Sequence, residues 1–360
     1  MDFMSVNHLI DLSDWPRQNW EKIIRLALEI EQNPSRFYGR MEGRILATLF
    51  YEPSTRTQNS FKSAMMRLGG QCVGFSNPQN SSVSKGETLA DTIRIMNGYA
   101  DIIAIRHPKE GAAKAAAAYS RCPVINAGDG GHLHPTQTLT DLVTLTKEVG
   151  RLDNLTVGIC GDLKYGRTVH SLIKALTQFP NNRFILISTK ELVIPAYMKA
   201  ILDAAGCSYR EVTSLTEVIG ELDVLYMTRI QRERFPSEQD YQEQKNVYIL
   251  DTEKMSLARP AMKVLHPLPR VDEITPEVDD DPRAVYFKQA QYGVYTRMAL
   301  ILTLLEKPCA GSALFQGSAH SGEACANPNC ITHTEPYLKK SFIETSNMLM
   351  CEYCEHKKLI

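Results

Sequence analysis

Hydroxyl side chains and an arginine directly follow a predicted buried strand, 43–50, near the start of the chain. Ser54 and Thr55 lie where the first N–H groups of the next helix lack intrahelical partners. Such a helix terminus attracts anions, and the planar guanidinium of Arg56 suits phosphate oxygens. The segment therefore indicates a phosphate site. A helix cap beside a solvated arginine would use the same residues.

Two further polar groups follow predicted strands. Arg106 ends the predicted strand 101–108, and His134 lies in the glycine-rich loop after the predicted strand 123–127. Ligand groups of parallel α/β sheets gather beyond the carboxyl ends of the strands. We therefore expect Thr57, Arg106 and His134 at one anion-binding edge. A loop histidine bonded to the backbone is the alternative for His134.

The second half of the chain supplies a different set of groups. The segment 158–167 lacks the G-x-G-x-x-G spacing of a dinucleotide site. Arg229 and Gln231 come just after a predicted strand, 224–227. Two arginines at such an edge would bind the two carboxylates of a dicarboxylate substrate. An ordinary surface position is the alternative for an arginine there.

A proline-rich turn follows the predicted strand 263–265. Pro267 and Pro269 flank Leu268 and have no N–H, so carbonyls of this turn can face a ligand amine. The sequence contains neither a G-x-S-x-G elbow nor a Walker A loop. We therefore predict direct transfer of a group between two bound substrates, without a covalent enzyme intermediate.

Composition excludes several classes of protein. The 360 residues carry a formal net charge of -1, which gives no footprint for nucleic acid. No apolar run approaches the roughly 18 residues needed to cross a membrane. The first residues also do not read as a signal peptide. We expect a cytoplasmic protein.

Predicted strands and helices alternate through most of the chain, which is typical of α/β folds with doubly wound parallel sheets. We expect two such domains and a small C-terminal zinc-binding domain. The predicted boundaries are 1–136, completed by helix 293–307, for the first domain, 137–292 for the second, 308–322 for a linker, and 323–360 for the zinc-binding domain.

Four cysteines crowd into the C-terminal segment. They form a C-x₄-C pair and a C-x₂-C pair, Cys325 with Cys330 and Cys351 with Cys354. Four thiolates at this spacing can close a tetrahedral structural zinc site and leave no open position for catalysis. Four free thiols are the alternative.

The motifs taken together resemble aspartate carbamoyltransferase, in order, from about residue 5 to 306. The motifs that carry the resemblance are Ser-Thr-Arg-Thr at 54–57, Ser82 with Lys85-Gly-Glu-Thr, His134-Pro-Thr-Gln137, Arg167, Arg229-Ile-Gln231, and His-Pro-Leu-Pro at 266–269. The resemblance implies transfer of the carbamoyl group of carbamoyl phosphate to L-aspartate in pyrimidine biosynthesis. Ornithine carbamoyltransferase and a non-catalytic assembly protein with this fold are the alternatives.

The resemblance also assigns roles. Carbamoyl phosphate would contact Ser54, Thr55, Arg56, Thr57, Ser82, Lys85, Arg106, His134, Gln137, Pro267, Leu268 and Pro269. Of these, Thr55, Arg56, Arg106 and His134 would be catalytic. L-Aspartate would contact Lys85, Arg167, Arg229 and Gln231. Glu52 would bridge Arg167 and Arg234 as a latch.

Family likeness extends to the assembly. The loop bearing Ser82 and Lys85 would reach a neighbouring subunit's site, which implies a homotrimer with shared active sites, and Ser81 is an alternative to Ser82. The tail resembles the zinc domain of the regulatory chain of aspartate carbamoyltransferase, which on its own polypeptide joins catalytic trimers. The regulatory chain's nucleotide-binding domain has no counterpart here, so we expect no feedback by CTP or ATP through that domain.

Overall fold

The computed structural model describes residues 8–230, 237, 239, 241–242, 247–306, 314–319, 323–345 and 347–359. The chain divides into two compact units, one formed by 1–136 together with 294–360 and the other by 137–293. Each unit contains a parallel β-sheet with helices between its strands. The predicted pair of parallel-sheet α/β domains is therefore confirmed.

The sheet of the first unit has four parallel strands in the order β2-β1-β3-β4. Its central strands are apolar and almost wholly buried, as expected for strands covered on both faces. The strands are β1 Ile45–Phe50, β2 Gln71–Phe75, β3 Ile102–His107 and β4 Val124–Asp129, and the helices are α1 Arg17–Gln32, α2 Thr55–Arg67, α3 Leu89–Met96 and α4 Ala112–Tyr119.

The sheet of the second unit has five parallel strands in the order β7-β6-β5-β8-β9. Two of the remaining helices, α5 and α9, cross the boundary between the units along the chain. The strands are β5 Thr156–Cys160, β6 Arg183–Ile187, β7 Ser208–Val212, β8 Val224–Met227 and β9 Lys263–Leu265, and the helices are α5 Pro135–Glu148, α6 Arg167–Leu176, α7 Ala196–Ala204, α8 Thr252–Ser256 and α9 Tyr286–Glu306.

The C-terminal segment folds as a small antiparallel sheet in the order β10-β11-β12-β13. Its strands are β10 Ser318–Ala319, β11 Ser341–Thr345, β12 Met348–Cys351 and β13 Lys357–Leu359. We call residues 323–359 the metal module. The module packs into one apolar cluster with α3 and α4, to which it contributes Ile331, Phe342 and Tyr353. It also pairs with Glu110, whose N–H donates to the Asn329 carbonyl at 3.0 Å.

Some element boundaries differ from the sequence predictions. The first long helix begins at Arg17 rather than Asp14, because Pro16 precedes it and Asp14 belongs to a short 3₁₀ helix. Helix α9 begins at Tyr286, seven residues before the predicted start at 293. Strand β7 was not predicted, since it is half exposed and carries no apolar run. Among the helices of the described residues, none has the length and apolarity needed to cross a bilayer.

Candidate active site and metal centre

The predicted phosphate segment is the turn between β1 and α2. Helix α2 begins at Thr55, with Ser54 as its N-cap residue. Within the described part of the chain, the Ser54 hydroxyl makes no capping hydrogen bond to the helix. Buried Gln58 fixes the first turn instead, because its Nε2 donates to the Phe75 carbonyl at 3.0 Å. Thr55 and Arg56 are exposed at this edge of the sheet.

Sheet register brings Arg106 beside this turn. Arg106 pairs with Phe50 at the end of β1, and the Tyr51 N–H donates to the Arg106 carbonyl at 2.8 Å. The guanidinium lies 2.5 Å from Glu52 Oε1 and also donates to the Ala127 carbonyl at 3.3 Å. Burial lowers the pKa of Arg106, which the Glu52 carboxylate opposes. The structure therefore holds a desolvated cation next to the phosphate segment, with a carboxylate as its present partner.

The loop that leads to His134 is organised around the buried carboxylate of Asp129. Its Oδ2 accepts from the Gly111 N–H at 2.8 Å, and its Oδ1 accepts from the Leu133 N–H at 3.1 Å. His132 Nδ1 lies 3.2 Å from Oδ2. These contacts place His134, only 6% exposed, immediately before α5.

Arg297 is a buried residue that sequence reasoning did not identify. It donates to Ser60 Oγ at 3.1 Å and to Thr136 Oγ1 at 3.3 Å. Thr136 Oγ1 in turn lies 3.4 Å from His134 Nδ1. Arg297 thus connects α2 with the start of α5 in the first unit. As the sole charge in the apolar stretch 294–305, it could have been singled out from the sequence.

In the second unit, Arg167 and Arg229 follow the neighbouring strands β5 and β8. Cys160 pairs with Met227 at the ends of these strands, so both arginines emerge at the same edge. Gly161, which has φ +122°, permits the backbone to approach closely there, since a Cβ on this residue would lie 2.2 Å from a backbone oxygen. Gln231 and Arg234, assigned to aspartate binding and to the latch, lie outside the described residues.

The turn after β9, the next strand along, is fixed by His266. Its Nδ1 accepts from the Leu268 N–H at 2.8 Å, so Nε2 carries the ring proton and donates to Glu273 at 2.7 Å. Burial alone would raise the pKa of Glu273, but the hydrogen bond from His266 helps to lower it. This network holds the segment Pro267–Pro269, where Leu268 has φ +49°.

Two predicted residues lie in the loop before α3. Ser81 is used locally, because its Oγ donates to the Pro78 carbonyl at 2.7 Å and accepts from the Val83 N–H. The Ser82 hydroxyl has no hydrogen-bond partner among the described residues, and Ser82 and Lys85 are both exposed. Ser82 therefore stays the predicted ligand contact, with Ser81 as its alternative.

The four clustered cysteines of the metal module have the geometry of a tetrahedral thiolate site. The four sulfur atoms all lie within 4.8 Å of one another and are buried. Sulfur–sulfur distances are 3.5 Å for Cys325–Cys354 and 3.9 Å for Cys330–Cys351. Zinc–sulfur bonds of about 2.3 Å in a tetrahedron require about 3.8 Å between sulfurs. His333 is not a fifth ligand candidate, as its Nε2 contacts the Cys325 carbonyl at 2.8 Å. The donor set fits a zinc ion.

The metal module contacts two of the loops that carry predicted site residues. Glu335 accepts from the Leu89 N–H at 3.3 Å, and Tyr337 from the Ala90 N–H at 2.9 Å, where the loop of Ser82 enters α3. Glu355 Oε2 lies 3.5 Å from His132 Nε2. Burial opposes a charge on His132, but Asp129 and Glu355 raise its pKa to about 10. Sequence reasoning gave no sign of these contacts.

Three protein families match successive parts of this chain. Residues 7–147 match the carbamoyl-P binding domain of the aspartate/ornithine carbamoyltransferases, and residues 153–304 match the Asp/Orn binding domain. Residues 324–358 match the metal binding domain of the aspartate carbamoyltransferase regulatory chain.

Relatives and solved structures agree with this division. Aspartate carbamoyltransferase catalytic subunits of Clostridium novyi and Clostridium perfringens are 58% and 60% identical to the chain, over 83% of it and 97% of their own length. The catalytic subunit of M. jannaschii aspartate transcarbamoylase superposes with a TM-score of 0.79 at 48% identity, covering 83% of this chain and 98% of that one. The Trypanosoma cruzi enzyme in complex with carbamoyl phosphate and aspartate superposes with a TM-score of 0.78 at 37% identity, covering 84% of this chain and 98% of that one. The chain therefore belongs to the aspartate/ornithine carbamoyltransferase family, on the aspartate carbamoyltransferase side, and carries in addition a metal-binding domain of the regulatory-chain type.

Proposed function

We propose that this chain transfers the carbamoyl group of carbamoyl phosphate to the amine of L-aspartate, giving N-carbamoyl-L-aspartate and phosphate. The observation that carries the proposal is the β1–α2 turn, Ser54–Thr57, lying beside Arg106, whose side chain is 12% exposed, in a chain about 60% identical to aspartate carbamoyltransferase catalytic subunits. Within this proposal, 1–136 and helix α9 form the carbamoyl-phosphate-binding domain, and most of 137–292 forms the aspartate-binding domain.

The phosphate of the substrate binds at the N-terminus of α2. Ser54, Thr55 and Thr57 supply hydroxyl and N–H groups there, and Arg56 supplies paired donors. Arg106 exchanges Glu52 for a phosphate oxygen as the substrate binds. Ser82 and Lys85 add a hydroxyl and a charge from an exposed loop.

Electrostatic stabilisation of the oxyanion drives the chemical step. The neutral aspartate amine attacks the carbamoyl carbon and forms the new C–N bond of a tetrahedral intermediate, which collapses when the C–O bond to phosphate breaks. Thr55, Arg106 and His134 stabilise the oxygen of the tetrahedral intermediate, and the leaving phosphate accepts the amine proton. Removing one such donor typically lowers the rate about 10²–10³-fold. Holding both substrates in register supplies much of the remaining acceleration.

Groups of the second unit recognise the carbamoyl amide and the acceptor. The Gln137 side chain and backbone carbonyls of Pro267, Leu268 and Pro269 accept from the amide N–H groups. Arg167 and Arg229, at neighbouring strand ends, bind the carboxylates of L-aspartate, together with Gln231 and Lys85. An ornithine acceptor would place an ammonium group near these cations, so charge favours aspartate over ornithine.

The metal module binds structural zinc, and the chain combines a catalytic subunit with a regulatory-type zinc domain. Four ligands leave the metal no open position, so it supplies folding energy rather than chemistry. No disulfide joins any of the eight cysteines of the described chain, which suits a cytoplasmic enzyme.

The assembly that fits this function is a homotrimer with active sites shared through the Ser82–Lys85 loop. Native mass should be measured by sedimentation with zinc bound and after zinc is removed. A trimer in both states makes the metal module a support of its own catalytic chain. Six chains that become three on zinc removal make it a link between two trimers. A monomer in both states contradicts the shared site.

A matched pair of arginine variants tests the catalytic proposal. Arg106→Met removes the partly buried cation beside the phosphate segment, and we expect kcat to fall about 10²–10³-fold. Arg67→Met, at the other end of α2, removes an exposed arginine and should leave kcat unchanged. Equal kinetics for both variants, or a folded wild-type protein without carbamoyl transfer, would contradict the proposal and favour a non-catalytic assembly role.

A further inference from the structure

A buried carboxylate that belongs to none of the predicted motifs lies one helical turn after Gln137. Asp141 on α5 is fully buried, and side chains of the second unit donate hydrogen bonds to it, among them Gln137, Gln289 and Tyr226. Its Oδ1 accepts from Gln137 Nε2 at 2.8 Å and from Gln289 Nε2 at 2.6 Å. Its Oδ2 accepts from Tyr226 Oη at 3.1 Å. Burying an ionised carboxylate is unfavourable unless such donors compensate it.

The first of these bonds orients the amide of Gln137. An ionised carboxylate accepts and cannot donate, so the NH₂ group of Gln137 must face Asp141. The Oε1 atom of Gln137 then points away from Asp141 as an acceptor. A carbamoyl NH₂ group is a donor, and it requires an acceptor of this kind.

The second bond connects Asp141 to the turn after β9. Because the NH₂ group of Gln289 faces Asp141, the Oε1 atom of Gln289 is free to accept from the backbone N–H of His266, at 3.0 Å. The His266 ring then holds the Leu268 N–H. One carboxylate therefore orients Gln137 and, through Gln289, the backbone whose carbonyls are the other proposed acceptors.

We propose that Asp141 is a positioning residue that makes the site select an acyl phosphate bearing an NH₂ group over one bearing a methyl group. This inference rests on the proposed function, because it takes Gln137 and the carbonyls around Leu268 as partners of the carbamoyl amide. Sites built to hydrogen-bond a substrate N–H strongly reject analogues that lack it. Acetyl phosphate is such an analogue of carbamoyl phosphate, of the same charge and similar size.

Asp141→Leu tests the inference. Leucine has a similar branched shape but accepts no hydrogen bond, so the amides of Gln137 and Gln289 both lose the group that orients them. We expect the KM for carbamoyl phosphate, at saturating aspartate, to rise about tenfold, which corresponds to the loss of about one hydrogen bond to the carbamoyl NH₂ group. The inhibition constant of acetyl phosphate should stay within about twofold of wild type, because its methyl group uses none of these acceptors. Equal weakening of both ligands, or of neither, overturns the inference.

Two other variants keep the test decisive. Thr144→Val removes another buried hydrogen bond from α5, 2.7 Å from Thr144 Oγ1 to the Thr140 carbonyl, and should leave both constants unchanged. Gln289→Met cuts the connection from Asp141 to His266 while leaving the carboxylate in place. It should produce part of the same selective loss, and unchanged selectivity in a folded Gln289→Met protein counts against the inference if Asp141→Leu does not fold.

Failure of the inference can be told apart from failure of the proposed function. A wild-type protein that forms no carbamoyl product refutes the function itself. If the wild type is active but Gln137→Leu leaves the preference for carbamoyl over acetyl phosphate unchanged, the role of Gln137 is wrong and the inference falls with it. A selective loss in Gln137→Leu without one in Asp141→Leu refutes only the positioning role.

Discussion

Gly111 offers a direct test of how the metal module docks on the first unit. It precedes α4 with φ +82°, and a Cβ on it would lie 2.6 Å from the carbonyl carbon, the carbonyl oxygen and the Cβ of Tyr353. Backbone atoms at that distance must move. Gly111→Ala should therefore push the module away from Glu110 while the four cysteines, all inside the module, keep their metal.

A control separates the two effects of the added methyl group. Gly43 has φ +76°, and a Cβ added to it would meet no atom of the described residues within 4 Å, so Gly43→Ala carries the backbone penalty alone. That penalty is about 1–2 kcal/mol, and the clash at Gly111 adds about 1–3 kcal/mol of overpacking. The difference between the variants, about 1–3 kcal/mol, is the weakening of docking, or roughly 5–150-fold in an opening equilibrium.

Hydrogen exchange of two amides reports this difference. The Ile331 N–H donates to the Glu110 carbonyl at 2.9 Å, and the Glu110 N–H donates to the Asn329 carbonyl at 3.0 Å. In the zinc-loaded protein, peptides containing these amides should exchange about 5–150 times faster in Gly111→Ala than in Gly43→Ala. Equal exchange in both variants, with metal content unchanged, would refute this account of the docking.

Three further predictions concern charges and the metal. Glu52→Gln removes the carboxylate that pairs with Arg106. Because an ion pair worth about 1 kcal/mol no longer competes, the inhibition constant of inorganic phosphate should fall about fivefold. If Glu52 also acts as the latch, turnover and aspartate affinity should fall, and unchanged values would rule out that role. Chelation of the metal should unfold residues 323–359, since structural zinc supplies about 10–16 kcal/mol, and circular dichroism and exchange in the module that did not change would contradict a structural metal. Because the pKa of Glu273 is lowered in the folded protein, its bond to His266 stabilises the fold fully above about pH 4.3, the ordinary pKa of a glutamate. This stabilisation is lost as pH falls through the lowered pKa. The difference in unfolding free energy between wild type and Glu273→Gln should therefore shrink on acidification, and a difference that widens would contradict this reasoning.

Local patterns in the sequence were enough to predict the α/β class. β1 and β3 are apolar runs, and the apolar residues of α1 have helical spacing, so the type of each element could be predicted from its own sequence. β7 could not be recognised in this way, because Ser208–Val212 is half exposed and contains no apolar run. Its strand state comes from pairing with β6, which no local pattern contains.

The same distinction applies to the candidate site. Arg106 could be placed near the phosphate segment from strand order alone, since parallel strands end at one edge. The proposed role of Asp141 could not be predicted, because it depends on a hydrogen bond from Gln289, 148 residues away in the chain. The contact between Glu355 and His132 likewise depends on where the metal module docks, and cysteine spacing predicts a metal but no docking surface.

Product formation by the purified chain alone tests the central claim most directly. The zinc-loaded protein is supplied with carbamoyl phosphate and either L-aspartate or L-ornithine, and products are identified by mass. We predict N-carbamoyl-L-aspartate and phosphate in equal amounts, with no carbamoylated ornithine. Carbamoylated ornithine, or no product from either acceptor while the protein is folded, would contradict the claim.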